Sequence, residues 1–125
     1  MNCNFLELVD TGGHSKVYSC TSPRGNRKFA LKIMQWNEGR RKLIEREIEI
    51  LKILSVYRHN FVASFVDSLI LTESTICLVF HFVSGPTLRQ KLHTQETFSE
   101  EEACFHSACM LLALKFLKQL HIIHG

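Results

Sequence analysis

Two opposite charges set in apolar surroundings constrain this chain more than any other feature. Lys32 interrupts the apolar strand pattern Phe29-Ala30-Leu31-Lys32-Ile33-Met34, where alternation puts it on the face of Ala30 and Met34 and opposite Leu31 and Ile33. Glu47 falls on the apolar side of a helical pattern from Arg40 to Leu54, in which Ile44, Glu47, Ile48, Leu51 and Leu54 recur at intervals of three and four. Either charge, left unpaired, is expensive to bury. Strand and helix are therefore expected to pack with the two charges in contact. A simple structural salt bridge, or two side chains that snorkel to solvent, would satisfy the same pattern.

Around this pair the first part of the chain reads as strands. Phe5 to Val9 and Lys16 to Cys20 flank the Gly12-Gly13 turn, and Ser22-Pro23-Arg24-Gly25-Asn26 turns into a third strand, Lys28 to Met34. Two successive hairpin turns imply an antiparallel meander. Beyond His59-Asn60, the segments Phe61 to Leu71 and Thr75 to Phe82 read as two further strands around Thr72-Glu73-Ser74, for a sheet of about five. On the helix, Glu45 and Glu49 face solvent, within reach of Arg41 and Lys52. After Gly85-Pro86 the pattern turns helical: a short helix over Leu88 to His93, then one from Glu100 to Leu120. The second opens on the capping box Ser99-Glu100-Glu101-Glu102. The fold class is α+β, with a boundary at Gly85 between residues 1–84 and 85–125.

Of 125 residues 46% are hydrophobic and 22% charged, enough for one modest core that buries about two-thirds of the unfolded surface. A formal charge of +3 is spread without a basic block, which gives no footing for nucleic acid or an anionic membrane. The apolar tract from Phe61 to Val83 is broken by Asp67 and Glu73, and the Ala103 to Leu120 run carries His106, Lys115 and Lys118, so neither reads as a membrane span. Cys3, Cys20, Cys77, Cys104 and Cys109 show no metal-ligand spacing and are expected as reduced, buried or half-buried thiols. The start lacks the pattern of a signal peptide, and the expected location is cytoplasmic or nuclear. His121 and His124 stand three apart but have no third ligand nearby in sequence, so no metal site is expected. Leu111, Leu112, Leu114 and Leu117 are expected as core; if left exposed, this face would invite aggregation or a protein partner.

The order of these segments carries a resemblance. Val9-Asp10-Thr11-Gly12-Gly13-His14-Ser15-Lys16-Val17 is similar to the glycine-rich loop of protein kinases, and Phe29-Ala30-Leu31-Lys32 to their lysine-bearing strand. Arg46 to Leu54 resembles the helix that supplies the lysine's glutamate partner. Leu78 to Val83 resembles the strand that runs into the hinge, and Ser84-Gly85-Pro86-Thr87-Leu88 the segment after it. Phe98 to Leu120 with His121-Ile122-Ile123-His124 resembles the first long helix of the C-lobe and the approach to the His-Arg-Asp segment. The match spans essentially the whole chain.

The resemblance implies a kinase N-lobe followed by the hinge and first helices of a C-lobe, and transfer of the γ-phosphoryl of ATP to protein Ser/Thr hydroxyls. Lys32 would hold the α- and β-phosphates, paired with Glu47, under a loop that includes Gly12 and Gly13. Val9, Val17 and Ala30 would cover the adenine, Phe80 would be the gatekeeper, and the His81 carbonyl and Val83 amide would bond the adenine edge. Leu51 would join the apolar spine. The catalytic Asp and the Mg2+ ligands of the family come after the His-Arg-Asp segment, past Gly125, so these residues alone are expected to be inactive. Asp10 stands where the first loop glycine is expected, Ser15 where the third is, and Gly125 where the Arg of His-Arg-Asp is. A carboxylate about 4 Å from a phosphate costs on the order of 4 kcal/mol at an effective dielectric near 20, unless it turns away. A non-catalytic scaffold that works through protein contacts is the alternative these departures raise.

Overall fold

In the computed structural model residues 6–124 are described, so the expected strand start at Phe5 and the readings on Cys3 and Gly125 lie outside the described residues. Five strands form: β1 (Leu6–Thr11), β2 (Ser15–Thr21), β3 (Lys28–Gln35), β4 (Phe65–Thr72) and β5 (Thr75–His81). They make one sheet in the order β1-β2-β3-β5-β4, with every pairing antiparallel. The helices are α1 (Glu38–Val56), α2 (Leu88–Gln95) and α3 (Glu100–Gln119). Two compact units result, one reaching to Arg58 and including Ala63–Val83, the other made of His59–Val62 and the residues from Ser84.

In the first unit the sheet is buried on both faces at its centre. Met34, Phe65, Ile76 and Leu78 meet Ile44 and Ile48 of α1 on one face, with Leu51 and Phe80 packed against them. Cys20, Phe29, Leu31, Cys77 and Val79 form the core of the other. Both clusters draw on β5, where Ile76, Cys77, Leu78 and Val79 are all at most 2% exposed, which is why its sequence reads as an unbroken apolar run rather than an alternation. The β2–β3 turn closes as expected: the Gly25 amide donates to the Ser22 carbonyl at 2.8 Å, and Gly25 takes φ +68°, a conformation that glycine adopts without steric cost.

One strand is shorter than its sequence suggests. The tract from Phe61 was expected to be extended throughout, but β4 starts at Phe65. His59 ties the preceding residues into a turn by accepting from the Val62 amide at its carbonyl (3.1 Å) and from the Phe61 amide at Nδ1 (3.2 Å). Along α1, Arg41 meets Glu45 at 3.2 Å; among the described residues no corresponding Glu49–Lys52 pair forms.

The second unit is organised by two capping boxes. Ser99 and Glu102 cap α3 reciprocally, as expected, and Thr87 and Gln90 cap α2 in the same way, from a T-x-x-Q pattern that carries the same local signal. Lys91 Nζ reaches Glu102 Oε1 at 2.7 Å and so joins the two helices. The His59 ring stacks on Phe116 at 4.8 Å. Of the leucines expected as core only Leu117 is buried, whereas Leu111, Leu112 and Leu114 are exposed. Cys104 is exposed as well, whereas Cys109 is half-buried and Cys20 and Cys77 are buried. Among the described residues no helix is long and apolar enough to cross a membrane.

The hydrogen bond from Lys91, and next the Ser99 amide, hold the Glu102 carboxyl below the usual glutamate range. A carboxyl lowered in the folded state stabilises it above the unfolded value, about pH 4.3, and that contribution fades as pH falls through the lower folded value. Glu102→Gln is thus expected to flatten the acid limb of the unit's stability profile, tracked by helix circular dichroism below about pH 5. Superimposable acid profiles for the two proteins would contradict this coupling.

Candidate active site

β3 lies between β2 and β5, with Lys32 in register with Val17 on one side and Leu78 on the other. The buried Ile44 and Ile48 flank Glu47 in sequence and fix the same side of α1 onto the sheet. This packing brings Lys32 Nζ to 2.8 Å from Glu47 Oε1. The two side chains remain 33% and 40% exposed, so the pressure to pair is milder than the apolar neighbours alone suggest. A pair this open adds roughly 0.2–1 kcal/mol to stability. Its main physical effect is to hold the ammonium in one place.

The β1–β2 turn lies at the edge of the same site. The Gly12 amide donates to the Ser15 carbonyl at 2.8 Å, leaving Gly13 and His14 at the tip. Neither Gly12 nor Gly13 takes a positive φ. Gly12 is constrained by space, since a Cβ there would lie 3.1 Å from Ser15 Oγ, whereas Gly13 faces open space. Asp10 sits just past a register shift in β1, and its Oδ1 accepts from the Thr11 amide at 2.8 Å. The carboxylate is thereby turned back onto its own backbone.

A pocket of about 350 Å³ opens between this turn, β3 and α1, with Lys32, Glu47, His14, Ser15 and Arg40 on its walls over an apolar floor that includes Met34 and Ile44. Arg40 is an addition to the residues expected from the sequence. Its signal is present there, because Arg40, Ile44 and Glu47 obey the i, i+4, i+7 spacing of one helix face. Val9, Val17, Ala30, Phe80, His81 and Val83 do not line this pocket. Ala30 and Phe80 are register partners on neighbouring strands, and Phe80 meets Phe65 edge-on at 5.7 Å. The His81 amide donates to the Ser64 carbonyl at 2.9 Å and the Phe82 amide to the Lys28 carbonyl at 3.2 Å, while Val9 and Val83 are exposed. Among the described residues no group of three or more His, Cys, Asp and Glu could hold a metal ion.

The model of the protein kinase domain matches residues 3–125. The chain belongs to the protein kinase family. It is 33% identical to serine/threonine-protein kinase AGC1-5 of Arabidopsis thaliana, across 98% of this chain and 22% of that protein. It is 30% identical to serine/threonine-protein kinase N3 of Mus musculus, across 95% of this chain and 14% of that protein, and 26% identical to pakC of Dictyostelium discoideum, across 95% and 25%. The chain thus spans a quarter or less of these relatives. In fold it is similar to Rad53 1-466 in complex with AMP-PNP, with a TM-score of 0.78 and 22% identity across 94% of this chain and 30% of that one.

Because the ion pair is half-open, Lys32→Met is expected to change unfolding stability by no more than about 1 kcal/mol in urea titration. A loss of about 3 kcal/mol or more is the signature of a buried structural pair and would remove the reason to treat Lys32 as a positioned ligand group.

Proposed function

We propose that this chain supplies the ATP-binding part of a serine/threonine protein kinase, which transfers the γ-phosphoryl of ATP to protein hydroxyls. The observation that carries the reading is the 2.8 Å contact between Lys32 of β3 and Glu47 of α1 on the wall of an open pocket. Family membership and Ser/Thr kinase relatives support it. In this reading Lys32 binds the α- and β-phosphates and Glu47 fixes its reach. The β1–β2 turn with Gly12 and Gly13 covers the polyphosphate. Val9, Val17 and Ala30 lie over the adenine, Phe80 bounds it, and the His81 carbonyl and Val83 amide bond its edge.

Phosphoryl transfer requires magnesium, and the described residues hold no cluster of three or more His, Cys, Asp or Glu to bind it by themselves. What these residues supply is charge and position: a cation held at a fixed point, where the negative charge of a polyphosphate can be met without reorganisation.

The second reading is a non-catalytic scaffold with weak or absent nucleotide binding. It is favoured by the loop, in which the Thr11 and Gly12 amides are bonded internally and Asp10 adds a negative charge. A thermal shift with ATP separates the two. The kinase reading expects the melting temperature to rise with ATP concentration, and expects Lys32→Met to abolish transfer in the complete protein while the fold is kept. No rise at millimolar ATP, or full activity in Lys32→Met, would favour the scaffold or remove the kinase assignment.

A further inference from the structure

Arg40 is the cation of the pocket that has no carboxylate to answer it. Lys32 is matched by Glu47 at 2.8 Å, and the neighbouring Arg41 is matched by Glu45 at 3.2 Å. Arg40 is half-buried, lines the same 350 Å³ pocket as Lys32, His14 and Ser15, and forms no ion pair among the described residues. A guanidinium withdrawn partly from water without a counter-charge is uncomfortable unless an anion joins it. The loop beside it commits part of its backbone internally. The Thr11 amide is spent on Asp10 and the Gly12 amide on the Ser15 carbonyl, so these two backbone donors are bonded within the turn.

We infer that Arg40 is a second phosphate-binding cation, acting with Lys32 on the polyphosphate of the nucleotide. This rests on the reading that the polyphosphate lies at Lys32. Arg40 stands two helical turns before Glu47, on the same face of α1, so the core that places Glu47 against Lys32 also aims Arg40 at the pocket. The guanidinium offers paired donors to phosphate oxygens, whereas Lys32 acts as a single point charge. Discrimination results from this: the residue favours ligands with a phosphate chain and is indifferent to the nucleoside.

The test uses the full chain and its Arg40→Gln, Arg40→Lys and Arg41→Gln variants, titrated with ATP, adenosine and inorganic tripolyphosphate, with circular dichroism to check the fold. Arg40→Gln is expected to weaken ATP and tripolyphosphate about tenfold, the scale of one lost charge-assisted hydrogen bond, and to leave adenosine unchanged. Arg40→Lys is expected to keep most of the affinity, and Arg41→Gln, which removes the same charge one residue away, all of it. Equal ATP affinity in wild type and Arg40→Gln, or an equal loss in Arg41→Gln, overturns the inference while the ATP reading stands. If tripolyphosphate binds through Arg40 but ATP gains nothing over it, the anion site stands and the nucleotide reading falls. Binding of neither overturns both.

Discussion

The contact between Lys32 and Glu47 depends on apolar packing much stronger than itself. Burial of a single Ile or Leu contributes about 1.5–3 kcal/mol, and Ile44, Ile48, Ile76, Leu78 and Met34 converge where α1 meets the sheet. The ion pair, half-exposed, adds a fraction of one such residue. The core therefore decides where the helix lies, and the pair decides where the ammonium points. Such a division of labour suits a binding group: its position is set by the packed core, so little is spent on ordering it.

The turn between β1 and β2 uses its polar groups differently. Its hydrogen-bonding groups close the hairpin and hold Asp10 against its own backbone. The like-charge contact expected from Asp10 is thereby relieved in part, since its carboxylate has a local donor. Two cationic side chains face the same pocket, Lys32 from the strand and Arg40 from the helix, across a floor of Met34 and Ile44.

Much of this is legible in the sequence because the core obeys simple periodicities. Alternation places Lys32 with Ala30 and Met34, and intervals of three and four place Glu47 beside Ile44 and Ile48; both hold in the structure. The capping box at Ser99 is a matter of local chemistry alone. The departures from expectation have physical causes. Phe61 to Ser64 is as strand-like in composition as β4 itself, but the ring nitrogen and carbonyl of His59 capture its amides, and composition does not register such local competition. Leu111, Leu112 and Leu114 look like core, yet burial depends on the surface opposite, which a single helix does not encode. Arg40 shares the spacing of Ile44 and Glu47, but an arginine in a helix reads as solvated surface until the pocket beside it is seen.

If the core positions Lys32 and Glu47 serves Lys32, the two residues must act on a nucleotide as one unit. A double-mutant cycle of Lys32→Met and Glu47→Gln, read as ATP affinity by calorimetry, measures that dependence directly. The expected outcome is that each variant loses affinity and the double variant loses little more than Lys32→Met alone. Losses that simply add, or a Glu47→Gln protein that binds ATP like the wild type, would contradict the account.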